Sequence, residues 1–216
     1  MKAMKHDWAM RGPSQRPSSY LDWGRIEAWA QQVARGDLSQ INAVFEANGA
    51  LAPRVLWQPT SSQIQTPQLR FLLDYWTNLK GDARLPASRS VDHRALAPIS
   101  GYEGLLDVVD DGLDFRIRRC SAVTMALAGY DLTGHLVSEY AVRSSIVYIV
   151  ESAIAFPRAA YRRGEPLYVE RATTRAAHGR HSLLLPLSDD AGAVGSFLLG
   201  TVPIGAGGLP IGMTRL

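Results

Sequence analysis

The sequence predicts an α+β fold, a five-stranded antiparallel sheet with helices on one face, preceded by an N-terminal helical extension. Two stretches carry this expectation. Gly104–Cys120 (GLLDVVDDGLDFRIRRC) and Ser182–Val202 (SLLLPLSDDAGAVGSFLLGTV) each read as apolar strand, acidic-glycine turn, apolar strand. Asp and Gly tolerate the positive φ that tight turns require, so Asp110-Asp111-Gly112 and Ser188–Gly192 are hairpin signals. The third observation lies between them. Val142–Arg163 is the longest helical pattern of the chain, with Ile146, Ile149, Val150 and Ala153 on one face.

Along the chain, residues 1–19 contain Gly12, Pro13, Pro17 and several serines and read as a disordered lead. Leu21, Trp23, Ile26, Trp29, Ala30 and Val33 then form one helical stripe that stops near Arg35-Gly36, where glycine suits a C-terminal cap. Asp37 is placed to cap a second helix carrying Leu38, Ile41, Val44 and Phe45, which ends at Asn48-Gly49. Ala50–Thr66, with Pro53, Pro59 and a Thr-Ser-Ser-Gln run, reads as a linker. These pieces make a helical extension and linker over 20–65, too small to bury its apolar stripe without another surface.

From Pro67 to Lys80, Leu69, Leu72, Trp76 and Leu79 recur at helical spacing; proline suits the first turn and Gly81 the stop. Leu105–Val109 is a buried strand. Leu113–Arg119 alternates, with Leu113, Phe115 and Ile117 opposite Asp114, Arg116 and Arg118. Ser121 caps a short helix stopped by Gly129. Pro157 should kink or end the long helix, because it removes a hydrogen bond and clashes with the preceding turn. Leu167–Thr173, His181–Leu187 and Val194–Val202 complete the sheet, and 205–216 is a glycine-rich, flexible tail. The sheet domain therefore spans 66–204.

At 216 residues with 46% hydrophobic and 20% charged content, the chain can bury one good core. No window approaches the apolar length of a membrane span. The N-terminus has no apolar segment or small-residue cleavage site, and the single Cys120 excludes an internal disulfide, so a cytoplasmic location is expected. The formal charge is +3, and only Lys2, Lys5 and Lys80 are lysines. The densest basic group, Arg158, Arg162, Arg163, Arg171, Arg175, His178, Arg180 and His181, is interrupted by Glu165 and Glu170 and reads as a solvated helix end and strand edge. It is not the footprint of a nucleic-acid binder.

The segments LLDYWTNLKGDARLPASRSVD, LLDVVDDGLDFRIRRCSA, ALAGYDLTGH, RRGEPLY and LLLPLSDDAGAVGSFLLGTV occur in that order between Leu69 and Val202. Together they resemble the PAS domains of a proteobacterial single-domain family. The resemblance implies a PAS-like sheet with a small cavity under its helices, and a role in bacterial signalling rather than catalysis. It does not extend over Ser18–Gln65. Where that family usually has glycine, this chain has Ser121, which implies a corner rebuilt by a serine cap.

Candidate chemistry is sparse. Cys120 lies in an Arg-Arg-Cys-Ser context at a strand end, unlike the flavin-reactive motif of light-sensing PAS domains, and reads as a buried structural thiol. Haem-binding PAS domains use a histidine on or before the long helix. None occurs within Val142–Arg163, so His135 is the single haem-ligand alternative, and a surface turn histidine is the plainer reading. His178 and His181 are spaced for opposite faces of a strand and lack a third ligand, so no metal site is expected. Gly205–Pro210 lacks the third glycine of a dinucleotide loop. No catalytic constellation emerges, and the chain is not expected to be an enzyme.

Two sets of functional residues follow. By strand alternation and helical stripe, Phe115, Ile117, Met125, Ile149 and Ala153 are candidate pocket walls, together with Phe156, Leu183, Leu185, Phe197 and Leu199. Trp23, Ile26, Trp29, Leu69, Leu72 and Trp76 are candidate interface anchors, because aromatic side chains dominate interfaces. The leading expectation is a cytoplasmic regulator, without its own output domain, that acts through protein contacts as a homodimer or on a bacterial signalling partner. The alternative is a small-molecule sensor with a metabolite in the cavity. Binding to nucleic acid or an anionic surface ranks last.

Overall fold

The computed structural model describes residues 20–143, 146–172 and 179–205. Its centre is one antiparallel sheet of six strands: β1 (Arg54–Trp57), β2 (Glu103–Val109), β3 (Asp114–Arg119), β4 (Leu167–Ala172), β5 (Gly179–Ser188) and β6 (Val194–Ile204). Their order across the sheet is β1-β4-β5-β6-β2-β3. The β2–β3 and β5–β6 hairpins lie where the turn signals place them, and β2 pairs with β6. The fold class is α+β, and an antiparallel sheet with helices stands as expected. It has six strands rather than five, because Arg54–Trp57, read from the sequence as linker, pairs with β4 from Arg54↔Glu170 to Trp57↔Leu167. A four-residue strand carries too little pattern to be seen without its partner.

Five α-helices accompany the sheet: α1 (Trp23–Arg35), α2 (Ser39–Ala47), α3 (Pro67–Lys80), α4 (Ala122–Ala128) and α5 (Val147–Arg163). The ends are set by local chemistry. Asp22 Oδ1 accepts from the Arg25 amide at 2.9 Å and opens α1; Gly36 closes it in the left-handed region at φ 86°. Ser121 Oγ accepts from the Thr124 amide at 3.1 Å and opens α4. Ser121 itself sits at φ −71°, so this corner has no need of glycine. In the β2–β3 turn, Asp110, Asp111 and Gly112 all have positive φ, and a Cβ on Gly112 would lie 2.4 Å from the Tyr161 ring.

Helices cover both faces of the sheet, not one. On the first face, α1, α2, α4 and α5 enclose a core that includes Ile26, Trp29, Phe45, Phe115, Phe156 and Phe197. On the second, α3 packs Leu69, Leu72 and Trp76 against Leu183, Leu185, Leu198 and Val202. Trp76 Nε1 donates to the Pro186 carbonyl at 2.9 Å beneath this layer. With both faces covered, β5 is buried along most of its length, and each fully buried aliphatic side chain contributes about 1.5–3 kcal/mol.

α5 continues past Pro157 to its cap at Gly164, so the helix does not take the early end expected there. Twelve of its residues are buried, and packing on α1 and the sheet offsets the roughly 3 kcal/mol a helix-interior proline costs. The expected lead 1–19 and residues 206–216 of the expected tail lie outside the described residues.

Candidate functional site

A cavity enclosing about 120 Å³ lies between α5, α4 and the first face of the sheet. The sequence pattern produces it directly. α5 presents Ile149, Val150, Ala153, Phe156 and Pro157, and the small Ala153 and Gly104 of β2 are both on the wall. A Cβ at Gly104 would meet the Arg119 carbonyl at 2.8 Å, so β2 and β3 approach here closer than any other residue permits. Leu106, Ile117, Val169, Leu184 and Leu199 form the apolar floor, and Leu127, Ala128, Leu132 and Val137 the side.

Polar groups line the cavity in two places: Arg119, paired with Glu103, lies with Ser121 and Thr124 on the β3–α4 side, and a second group lies at the β4–β5 end. Arg171 of β4 and Arg180 of β5 are direct partners in the strand register, and both line the wall with Ser182, Thr201 and Tyr140. Arg171 Nη1 donates to Ser152 Oγ at 2.9 Å, and Ser152 Oγ donates to the Ile149 carbonyl at 2.8 Å. The guanidinium carbon of Arg171 lies 5.6 Å from the Phe156 ring centroid. Arg171 Nε is buried with no hydrogen-bond partner. Burial, with Arg180 alongside, pulls the Arg171 guanidinium down to about 9; it remains cationic at neutral pH. Burial lowers Arg180 too, against an opposing effect of Tyr140.

Of the ten residues the sequence offered for a pocket, Ile117, Ile149, Ala153, Phe156 and Leu199 line this cavity. Phe115 and Phe197 belong to the same core but stack edge to face with each other, centroids 6.0 Å apart, away from the wall. Met125 packs at the edge of that core, and its neighbours Thr124, Leu127 and Ala128 reach the cavity instead. Leu183 and Leu185 are a correction. They face α3 on the opposite side of the sheet, and Leu184 takes the wall position. In the run Leu183-Leu184-Leu185 every residue is apolar, so alternation cannot say which face is which.

The candidate interface residues are corrected as well. Ile26 and Trp29 are 0% and 1% exposed against α5 and the surrounding core, and Trp23 is packed at its margin. Leu69, Leu72 and Trp76 are covered by the second face of the sheet. The chain's own long helix and sheet fill the stripes that the sequence left open for a partner.

Cys120 is on the cavity wall, 8% exposed, and burial pushes its thiol up. His135 contacts Glu139 Oε2 through Nδ1 at 2.8 Å, is partly exposed, and is not on the wall, so its position does not fit a haem ligand of this cavity. His181 pairs instead with the Tyr168 hydroxyl at 2.9 Å, and His178 lies outside the described residues. Among the described residues no group of three His, Cys, Asp or Glu is arranged for a metal. No described helix is long and apolar enough to cross a membrane.

The basic group divides in two. Arg158 and Arg162 both pair with Glu27 of α1, at 2.6 and 2.5 Å, and Arg163 pairs with Glu165 at 2.5 Å while covering the Trp57 ring. Arg171 and Arg180 turn inward to the cavity; Arg175 lies outside the described residues. The solvated strand edge expected for Arg171 and Arg180 is thereby corrected: Leu167, Val169 and Arg171 alternate with Tyr168 and Glu170, and both arginines line the cavity. That alternation is the sequence signal that could have found the polar end.

Fold and site together define a class: an α+β protein with one antiparallel sheet and a partly open cavity under its longest helix. No protein-family model matches the chain, and no curated protein matches it. One solved structure with a similar arrangement is that of an RNA-binding light-oxygen-voltage receptor, at 19% sequence identity and a TM-score of 0.35. The match covers 74% of this chain and 42% of that one, so the chain spans less than half the length of that receptor.

Proposed function

We propose that this protein is a cytoplasmic PAS-like regulator that senses a small molecule bound between α5 and the sheet. The cavity of about 120 Å³, apolar over most of its wall and with two arginines lacking a carboxylate partner among the described residues at its β4–β5 end, is the observation that carries this reading. That combination is what orients a small ligand: apolar surface supplies affinity and a few placed polar groups supply direction. Occupation would bear on α5, whose other side holds α1, and so pass to the surface as a shift in helix packing. The signal would be delivered to another protein. Contact through Trp23, Trp29 and Trp76, the leading expectation of the sequence, has less support, because those side chains are packed within the chain.

Native mass spectrometry of freshly purified protein, with thermal shift across a metabolite library, tests the reading. A retained small molecule or a ligand-dependent rise in Tm supports it. A bare mass with no shift in any well overturns it.

A further inference from the structure

We infer that the ligand of this cavity is a small amphipathic monocarboxylate, its carboxylate held by Arg171 and Arg180 and its apolar body lying against Leu184, Leu199 and Ile149. This rests on the receptor reading above and specifies its ligand class.

The arginines themselves make the argument. Elsewhere in the fold, Arg25, Arg119, Arg158, Arg162 and Arg163 each meet a carboxylate, on Glu151, Glu103, Glu27, Glu27 and Glu165. Arg171 and Arg180 meet none among the described residues, and the intervening sequence Thr173–His178 (TTRAAH) contains no acidic residue. Two partly buried guanidinium groups side by side, with no carboxylate partner among the described residues, repel each other and give up part of their hydration. The arrangement is held in place: the strand register sets the two opposite each other, and Ser152 Oγ takes one Arg171 donor. That leaves Nε of the same guanidinium as an unused donor, and guanidinium groups bind carboxylates through such paired donors.

Polarity falls away along the strands. Arg171 and Arg180 form one row; Val169, Ser182 and Thr201 form the next; Leu167, Leu184 and Leu199 follow in register. A ligand with one charged end and one apolar end matches this gradient. Size narrows it further, because a dry cavity of about 150 Å³ accommodates benzene. The body is therefore a single aromatic ring or a branched chain of similar bulk.

The test is calorimetric titration of the full chain with benzoate, phenylacetate and 4-methylpentanoate, each beside its neutral amide, and with inorganic phosphate. At least one acid is expected to bind about ten- to a hundredfold more tightly than its amide, the range for a hydrogen bond to a charged group. Arg171→Gln and Arg180→Gln should each remove that preference while leaving amide binding in place. A cooperative unfolding transition in both variants shows that they are folded, and Arg171→Lys, which keeps charge without the fork, should fall between. An amide that binds as well as its acid, or an acid unaffected by Arg171→Gln, overturns the anionic end and leaves a receptor for neutral ligands. Phosphate binding as tightly as the acids overturns the apolar body. Failure of every acid and amide to bind overturns the inference, and a bare mass in the native spectrum then removes the receptor reading as well.

Discussion

Arg25 of α1 closes a two-point clamp on Glu151 of α5: Nε donates to Oε2 at 2.9 Å and Nη2 to Oε1 at 2.7 Å. The Asp22 amide adds a third donor at 3.0 Å, and the Glu151 carboxylate is wholly buried. Residues 126 positions apart thus decide how the N-terminal helix sits on the helix that roofs the cavity.

Breaking this clamp should be costly. Arg25→Met leaves a buried carboxylate without its cation and is expected to destabilise the fold by about 3 kcal/mol, while Arg25→Met with Glu151→Leu recovers most of the loss. Urea denaturation of the two single variants and the double variant measures the coupling. Additive effects would mean that the clamp does not join the helices.

Arg171 is expected to behave in the opposite way. Its cation is disfavoured in the fold, so Arg171→Met should stabilise the unliganded protein by roughly 1–3 kcal/mol at pH 7. The sign of the pH dependence follows from linkage. The native state holds the proton less tightly than the unfolded chain, so the penalty is fully present below about 9 and is relieved as pH rises above it. The stability gap between wild type and variant should therefore narrow in urea melts from pH 8 to pH 10; a constant gap would show that burial does not tax this group.

The N-terminal extension should be integral rather than appended. Removing residues 20–65 strips α1 from α5 and β1 from the edge of β4, uncovering part of the core that these elements share. The remaining 66–216 segment is expected to lose its cooperative thermal transition, followed by circular dichroism. A truncated protein that melts as the full chain does would place the extension outside the core.

Cys120 offers a reporter of the cavity. Burial raises its thiol, so less thiolate is present at pH 7.5 than in a free cysteine, and labelling by a disulfide reagent should be at least about tenfold slower than for glutathione. Any molecule that fills the cavity should slow it further. Equal rates with and without a bound ligand would place that ligand elsewhere.

Gly104→Ala should damage the site through the backbone. The new methyl group meets the Arg119 carbonyl, which belongs to a paired strand and cannot turn aside. A loss of about 1–3 kcal/mol is expected, with weakened ligand binding. Gly104 is not among the glycines at positive φ, so the loss is that of the close contact and not of backbone strain.

Periodicity and punctuation, read from the amino-acid order alone, determined most elements of this protein. Gly36, Gly81, Gly129 and Gly164 end helices where their pattern says, and Asp110–Gly112 turns one strand into the next. These features are local: each depends on the φ a residue tolerates or on spacing within one turn. Only tertiary structure decided which apolar face meets which. Leu183, Leu184 and Leu185 are alike in sequence, yet pairing with β4 and β6 sends the middle one to the cavity and the others to α3. The same holds for Trp29 and Trp76, whose stripes are filled by the chain's own helix and sheet, and for Arg171 and Arg180, which become one site because strand register sets them opposite each other. An alternating pattern names an inward face, but what lies across from it is fixed by residues far away in the chain.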